Sequence, residues 1–229
     1  MKSSLQIIAQ EVSECRKCPR LTVYRERVAR EKRRAFLEWE YWGRGVPGFG
    51  DAKAKLLILG LAPAAHGGNR TGRVFTGDRS ADFLFQALYD AGFANQPTSV
   101  RRDDGLRLHN AYIAAAVRCA PPDNKPLPSE IVNCRPYLER ELEILKPKII
   151  LALGKIAWDA YLDLLRHEHK IASRAPYKFA HGAEAEMSDD LPMLFGVYHP
   201  SQQNTQTGRV TQAMYATVLK RIRECLKHL

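Results

Sequence analysis

Four short apolar runs stand out along the chain, and each is followed by a turn and a helical pattern. They cover residues 56–61, 111–117, 149–153 and 193–198. Apolar runs of this length, without polar alternation and bounded by turn residues, are typical of buried parallel strands. Because helical patterns separate the runs, the chain is predicted to be an α/β fold with a four-stranded parallel sheet covered on both faces.

Helical periodicity fills much of the remaining sequence. A short helix is predicted over residues 5–12, and a basic helix from about residue 23 to 37. Later helices are predicted after Asp78, from Ser129 as the cap to Lys146, and over residues 154–165 and 210–226. Residues 167–191 and 202–208 lack either periodicity and are predicted to be irregular.

The loop that follows the first apolar run is the most unusual segment. It reads GLAPAAHGGNRTGRVFTGD and leads directly into a helical pattern. In an open α/β sheet, ligands bind where loops leave the carboxyl ends of the strands. The loop matches neither the P-loop nor the dinucleotide-binding glycine pattern. We therefore expect an active site of another kind to be built on this loop.

Composition and charge narrow the class of protein. The chain has 229 residues, of which 45% are hydrophobic and 26% charged, and one domain is predicted over residues 1–229. No apolar run approaches transmembrane length and the first residues lack a signal-peptide pattern, so a cytoplasmic protein without membrane contact is expected. The formal net charge of +10 favours a polyanionic partner, above all nucleic acid.

Four of the five cysteines form two pairs at the edges of predicted helices. Two residues separate Cys15 from Cys18, and fourteen separate Cys119 from Cys134. In a cytosolic chain such pairs favour metal ligation, and four thiolates suit either structural zinc or an iron–sulfur cluster. The alternative is four unrelated buried thiols. Cys225 lies in the apolar stripe of the last helix and is assigned to the core.

Two loops together resemble the uracil-DNA glycosylase superfamily. They are GLAPAAHGGNRTGRVFTGD after the first strand and HPSQQNTQTGR after the last. Within the superfamily the chain is most similar to the family-5 enzymes, and the similarity continues through YWGRGVPGFGD, AAVRCAPPDNKP and the C-terminal helix. The resemblance implies a three-layer αβα sandwich around a four-stranded parallel sheet. It also implies a 4Fe–4S cluster, held by the N-terminal region and the 119–134 segment through Cys15, Cys18, Cys119 and Cys134.

The activity implied by the resemblance is that of a monofunctional DNA glycosylase. Such an enzyme flips uracil and other deaminated bases (hypoxanthine, xanthine) out of double-stranded DNA and hydrolyses the N-glycosidic bond, which initiates base excision repair. Neither loop contains a lysine nucleophile, which argues against coupled strand cleavage. A monomer in the cytoplasm, associated with the nucleoid, is expected. Two alternatives remain, a uracil-specific family-4-like enzyme and a non-catalytic iron–sulfur DNA-binding module.

Three residues are the candidates for catalysis and base stacking. Phe75 would stack on the flipped base, although a Phe between strand and helix is ordinarily a core residue. His199 would donate a hydrogen bond to the base carbonyl as negative charge grows there, although a lone His near a strand end is ordinarily structural. The resemblance places the catalytic acid at Asp78, whose ordinary role before a helix would be an N-cap.

The base pocket is expected to be apolar and permissive. Gly60, Leu61 and Ala62 of the first motif would line it, and no acid stands at or next to Leu61, where better-known uracil glycosylases carry one. Ala115 stands where the family-4 enzymes have an Asn that reads uracil. Asn124 resembles the amide of the pocket wall in family 5. Since an apolar pocket rejects poorly, broad specificity is expected.

The remaining candidates are DNA contacts. Phosphate contacts are expected from the loop amides and nearby cations, namely Gly67, Gly68, Gly77, Arg70, Arg73 and Arg209. Ser201 and Gln202 begin the polar segment after the last strand. This segment, as far as Arg209, is expected to enter the groove and fill the gap left by the flipped nucleotide.

Overall fold

The four apolar runs form the centre of one mixed sheet. The structure is a computed structural model that describes residues 3–188 and 190–228. In this part of the chain six strands pair in the order β1-β3-β2-β4-β6-β5. Their bounds are Phe49–Gly50 (β1), Leu56–Gly60 (β2), Ala111–Ala115 (β3), Ile149–Leu153 (β4), Ala183–Ala185 (β5) and Met193–Val197 (β6).

The predicted α/β class is confirmed, and so is the parallel arrangement of the four apolar runs. β3, β2, β4 and β6 pair in parallel. The two edge strands β1 and β5 pair antiparallel and were not predicted. They have two and three residues, too few to give an alternating pattern, and β5 lies within residues 167–191, which were predicted to be irregular.

Eight α-helices flank the strands within the described residues. They are Ser4–Glu14 (α1), Pro19–Glu31 (α2), Gly68–Thr71 (α3), Arg79–Asp90 (α4), Pro128–Leu145 (α5), Lys155–His167 (α6), Gln202–Gln206 (α7) and Gln212–His228 (α8). Short 3₁₀ turns cover Arg34–Phe36 and Pro122–Asn124. Across these ranges, no helix combines the length and the apolar character needed to cross a membrane.

Three details of the predicted helices are wrong. The basic helix ends at Glu31 rather than residue 37, because Lys32 takes a positive φ of +56°. Helix α5 begins at Pro128 after Leu127, so Ser129 lies inside its first turn and is not the cap. The polar segment after the last strand is not irregular, because Ser201 caps the short helix α7.

Alternate residues of the parallel strands feed two separate apolar layers. On one face, side chains such as Leu56 and Ile58 pack in a cluster with residues of α4 and α8, including Cys225. On the other face, side chains such as Leu57 and Leu59 pack with residues of α5 and α6. The carboxyl ends of the strands therefore meet at one edge of a rigid slab, which explains why loops there can hold side chains in fixed positions.

A buried ion pair connects the exit of β3 to α5. Arg118 and Glu141 are each 1% exposed and form a salt bridge through both guanidinium nitrogens. The hydroxyl of Tyr112 donates a further hydrogen bond of 3.2 Å to Glu141 Oε1. Because Arg118 directly precedes Cys119, the pair also fixes the start of the second cysteine segment.

Replacement of Glu141 by Ala should destabilise the protein by about 3–5 kcal/mol, because it leaves the Arg118 charge buried without its partner. Chemical unfolding monitored by circular dichroism measures the loss. Glu143→Ala is the matched control, since this exposed glutamate lies two residues further along the same helix. Equal stability of the two variants would contradict an essential role for the buried pair.

Candidate active site

A pocket of about 410 Å³ opens at the carboxyl edge of the parallel strands. Loops from all four parallel strands contribute to its wall. The lining residues come from the loop after β2 (Leu61, Ala62, Pro63, Ala64, Val74, Phe75, Asp78), from α4 (Ser80), from β3 and its loop (Ala115, Asn124), from β4 and α6 (Leu153, Gly154, Lys155, Ile156) and from the exit of β6 (His199, Ser201, Gln202). Phe75, Asp78 and His199 thus face one common hollow.

Phe75 is held in the pocket by an unusual backbone and by the residue beneath it. Its φ is +46°, a left-handed conformation that is rare for a bulky side chain and marks a functional constraint. A Cβ at Gly60 would lie only 2.6 Å from Phe75 Cε2, so glycine at this position leaves the space for the ring. The ring is half-buried and tilted 35° to that of His199, with the centroids 6.0 Å apart.

His199 is an uncharged imidazole at the exit of β6. Burial lowers its pKa to about 4, so the neutral form prevails near pH 7. Its backbone carbonyl accepts a 2.8 Å hydrogen bond from Asn204 Nδ2, which anchors the segment to α7. Gly154 packs against it, since a Cβ there would lie 3.2 Å from His199 Cβ.

Asp78 combines the helix-capping role with a place in the pocket wall. Its Oδ1 accepts a 2.9 Å hydrogen bond from the Ala81 N–H at the start of α4. Its other oxygen, Oδ2, lies over Gly67, where any Cβ would collide with it. Burial raises the pKa of Asp78 above its ordinary range, against the lowering effect of the Ala81 and Ser80 N–H groups.

Arg73 does not face DNA, and its predicted phosphate contact is wrong. The side chain is 3% exposed and donates to Asp104, Ser99 and Thr76 at 2.7–2.9 Å. Because these partners belong to its own loop and to the 99–104 segment, Arg73 ties the two segments together.

The predicted phosphate contacts of Arg70, Gly67, Gly68 and Gly77 also need correction. Arg70 is 3% exposed, packs against two aromatic rings and donates to the His66 and Gly77 carbonyls, so two of its nitrogens are already engaged within the protein. Gly67 and Gly68 are buried. The N–H groups of Gly67 and Gly77 donate to the Ala64 and Ser99 carbonyls, so they are not available to a phosphate.

The remaining predicted contacts lie at the mouth of the pocket. Gln202 and Asn124 are exposed, and Asn124 has a positive φ of +56°. Ser201 accepts a hydrogen bond from Asn204 N–H as the cap of α7. Arg209 is exposed, with its guanidinium 5.0 Å from the centre of the Tyr198 ring. Asn124, Ser201 and Gln202 line the pocket and Arg209 does not, and contact of these residues with DNA stays a prediction.

Comparison with known proteins decides the family. The sequence model described as the uracil DNA glycosylase superfamily matches residues 47–223, which include every strand of the parallel sheet and both loops. The chain belongs to the uracil-DNA glycosylase superfamily. The family expectation drawn from the two motifs is therefore confirmed.

Several named relatives of this superfamily are similar over most of the chain. A type-5 uracil-DNA glycosylase of Mycobacterium tuberculosis is 50% identical over 212 residues, 91% of this chain and 77% of the relative. One from Thermus thermophilus is 46% identical over 215 residues, 93% of this chain and 94% of the relative. A type-4 uracil-DNA glycosylase of Archaeoglobus fulgidus is 28% identical over 199 residues, 86% of this chain and 82% of the relative.

The four paired cysteines of this superfamily member converge beside the pocket loops. Cys119 and Cys134 lie in one buried cluster with Cys18 packed against it, and Cys15 and Cys18 both act electrostatically on Cys119. No group of three or more His, Cys, Asp and Glu in residues 3–188 and 190–228 is placed to hold a single metal ion.

The surroundings of the cysteines fit sulfur ligands of a bound metal group, because N–H donors lie close to three of the four sulfurs. Arg25 is 1% exposed and donates from Nη1 to Cys119 Sγ, while its Nε is buried without a partner. The Arg118 N–H approaches Cys134 Sγ at 3.5 Å, and Asn133 Nδ2 approaches Cys18 Sγ at 3.4 Å. Hydrogen bonds of this kind to thiolate sulfurs are a feature of iron–sulfur sites.

Sequence reasoning missed part of the pocket wall. Lys155 and Ile156 begin α6 and line the pocket from the β4 side. Ligands bind where loops leave the carboxyl ends of parallel strands, and Gly154 directly follows β4. Gly154 was therefore a signal in the sequence that this wall belongs to the pocket. Ser80 was likewise detectable as a polar residue in the first turn after Asp78.

Replacement of Asp104 by Asn should weaken the support of the active-site loop in a pH-dependent way. Burial would raise the pKa of Asp104, but hydrogen bonds from Arg73 and three backbone N–H groups outweigh it and lower the pKa from 3.8 to about 2. Its stabilisation is therefore present above about pH 4 and lost as the pH falls through about 2. At pH 7 the loss should be about 1–2 kcal/mol after allowance for solvent screening.

Urea unfolding of both proteins between pH 7 and pH 2 measures this effect. The difference between wild type and Asp104→Asn should shrink as the pH falls below 4. Asp103→Asn is the control, because Asp103 is exposed and pairs only with exposed Arg101. A difference that does not change with pH would contradict the ion-pair explanation.

Proposed function

We propose that this protein is a DNA glycosylase that hydrolyses the N-glycosidic bond of uracil in DNA. The observation that carries the proposal is the convergence of Phe75, Asp78 and His199 on one mainly apolar pocket at the carboxyl edge of the sheet. The relatives named type-5 uracil-DNA glycosylases, 46–50% identical, support it. We take the enzyme to be monofunctional, since neither motif loop contains a lysine and the pocket residue Lys155 is paired with Asp159 of its own helix.

The reaction begins with extrusion of the target nucleotide, because a base inside the duplex is out of reach of the pocket. The flipped base stacks on the Phe75 ring, whose position Gly60 makes possible. The neutral His199 imidazole then donates a hydrogen bond to a carbonyl oxygen of the base. As the bond breaks, this donor stabilises the negative charge that grows on the oxygen.

Bond cleavage places opposite charges on the two fragments. The bond between C1′ and the base nitrogen breaks, and its electron pair leaves with the base. The sugar develops oxocarbenium character, which the ionised Asp78 stabilises while it orients a water for attack on C1′. The water oxygen bonds to C1′ and one water proton passes to Asp78. The departing base takes a proton from solvent at the nitrogen that held the sugar, and Asp78 returns its proton to solvent, so that the net reaction adds one water.

The pocket favours a broad choice of base. Leu61, Ala62 and Ala115 present no side-chain amide or acid to read the uracil edge, and Asn124 contacts the base from the rim. An apolar wall discriminates weakly among bases of similar shape. Hypoxanthine and xanthine are therefore additional substrates, with double-stranded DNA as the preferred form.

The proposal includes a DNA-binding surface and a cofactor. Gln202 and Arg209 contact the strand beside the pocket, and the net charge of +10 favours this polyanion. A 4Fe–4S cluster is held by Cys15, Cys18, Cys119 and Cys134, and when bound it cross-links the N-terminal helices to the exit of β3 and to α5. The protein acts as a monomer in the cytoplasm, associated with the nucleoid.

The test of function is a single-turnover assay on a duplex with one deoxyuridine, read out as alkali-labile abasic sites. Wild type should release uracil, and Asp78→Asn should lower the rate constant by about 10²- to 10⁴-fold while binding persists. Because burial raises the pKa of Asp78 above 3.8, the wild-type rate should fall with decreasing pH at a midpoint above that value. This acid limb should be absent in the variant.

Asp82→Asn is the matched control, one turn further along α4 and outside the pocket. It should retain the rate and shift the acid limb slightly downward, because Asp82 contributes to the raised pKa of Asp78. Release from hypoxanthine and xanthine duplexes separates the broad enzyme from a uracil-only family-4-like one. If wild type releases no base at any enzyme excess, the proposal is wrong. The non-catalytic DNA-binding module would then be the remaining interpretation.

The cofactor has its own test. Purified protein should be brown and should contain about four irons per chain, and Cys134→Ser should lose the colour and part of the thermal stability. Cys225→Ser is the control, because Cys225 lies in the core cluster of the opposite sheet face. A colourless aerobic preparation with stoichiometric zinc contradicts the cluster.

A further inference from the structure

The guanidinium of Arg70 is enclosed by aromatic rings beside the pocket. Its central carbon lies 3.9 Å from the centre of the Phe36 ring and 4.0 Å from the centre of the Trp39 ring. The two rings come from the segment between α2 and the first edge strand, far from Arg70 in sequence. The two rings stand nearly perpendicular to each other, at 81°, and form a corner that holds the guanidinium. A planar cation packed against two aromatic rings has little freedom to move.

Two hydrogen bonds from this guanidinium close the active-site loop. Nε donates to the His66 carbonyl and Nη2 to the Gly77 carbonyl, each at 2.7 Å. The residues next in the chain after these two acceptors are Gly67 and Asp78. They are also the residues in close contact, since Asp78 Oδ2 occupies the space that a Cβ at position 67 would need. The clamp therefore sits one residue from the contact that orients the carboxylate.

The fit is specific to arginine. Lysine has a single nitrogen, which cannot donate to two carbonyls in a fixed plane and does not stack as a planar group. The clamp also restricts Gly77, because a Cβ there would collide with the guanidinium. Nη1 is buried without a hydrogen-bond partner among the described residues, which costs free energy. An apolar side chain that only filled this space would not carry that cost.

Backbone contacts extend the clamp to the cysteine-bearing N-terminal region. The Arg70 carbonyl accepts from Trp42 N–H at 2.9 Å, and the Asn69 carbonyl accepts from Gly43 N–H at 3.0 Å. Asn69 Nδ2 in turn donates to the carbonyl of Arg25, whose guanidinium reaches Cys119. The short helix α3 is thereby fixed to the N-terminal segment on one side and to the pocket loop on the other.

We propose that Arg70 is a positioning residue that sets the orientation of Asp78 by clamping both ends of the pocket loop against Phe36 and Trp39. The inference rests on the proposed function of Asp78 in base excision. Arg70 itself touches neither base nor phosphate. It acts through the backbone carbonyls of His66 and Gly77, and through its charge on the nearby carboxylate.

Several charged groups surround Asp78 and must be separated from Arg70 in any pH measurement. Asp82 acts on it from its own helix, and Arg70 acts on it from the loop. Asp123 lines the adjoining groove, while His199 and Lys155 face the same pocket. Of the two groups that act on its titration electrostatically, Arg70 lowers the pKa and Asp82 raises it.

The test compares Arg70→Lys and Arg70→Gln with wild type in the single-turnover assay. Arg70→Lys keeps the charge but loses the planar clamp, so the rate constant should fall about 10- to 100-fold with the acid limb unchanged. Arg70→Gln also loses the charge, so its acid limb should move to higher pH. Affinity for abasic-site DNA should stay within about twofold, with an unchanged salt slope, because no phosphate contact is lost.

Arg209→Gln is the matched control for a true phosphate contact. Its salt slope should fall by about one unit, which Arg70→Lys must not reproduce. Arg70→Ala provides a second readout, because it empties the place of the guanidinium against the two rings. Millimolar guanidinium should restore part of the lost rate, whereas equimolar methylammonium or sodium chloride should not.

If a variant at position 70 fails to fold, Trp39→Leu tests the same clamp with the arginine retained. It should lower the rate constant in the same direction, and combination with Arg70→Lys should be less than additive. A wild-type rate for Arg70→Lys overturns the inference. A reduced salt slope in either Arg70 variant also overturns it. So does a lower rate in Arg70→Gln without any shift of the acid limb. If wild type itself releases no base, the proposed function has failed instead.

Discussion

A carboxylate that must stay ionised in an apolar pocket is the constraint on which the structure depends. Burial raises the pKa of Asp78, and the protein limits that rise with two N–H groups from the start of α4 and with the Arg70 charge. Close packing completes the arrangement, because Gly67 lets Asp78 approach the loop backbone and Gly60 lets the Phe75 ring reach the pocket. Gly60 and Gly67 are thus required because any larger residue would collide with Phe75 or Asp78.

Support for this loop comes from two sides of the molecule. Buried Arg73 ties it to the 99–104 segment through Asp104, and Arg70 ties it to the aromatic segment that follows α2. The same N-terminal region carries the first cysteine pair and reaches the second pair through Arg25. A cluster bound at these cysteines would stiffen the base on which the pocket loop rests, without taking part in bond cleavage.

Sequence alone predicted the parallel sheet because strands buried on both faces give uniform apolar runs. Uniform apolar runs located the four parallel strands and the loops at their carboxyl ends, and the family resemblance singled out Phe75, Asp78 and His199 in those loops. Sequence could not predict that Arg70 and Arg73 point inward, because an arginine in a polar loop looks the same whether it meets phosphate or a buried carbonyl. The enclosing rings of Phe36 and Trp39 lie about thirty residues away, and only the fold brings them together.

The central claim is that one pocket holds the extruded base stacked on Phe75 and hydrogen-bonded to His199, with Asp78 facing the sugar. A crystal structure of Asp78→Asn bound to a duplex with one deoxyuridine tests it most directly. The account predicts the uracil ring stacked on Phe75, and a nitrogen of His199 within about 3.2 Å of a uracil carbonyl. A uracil that remains in the duplex, or that is held on a different surface, would contradict it.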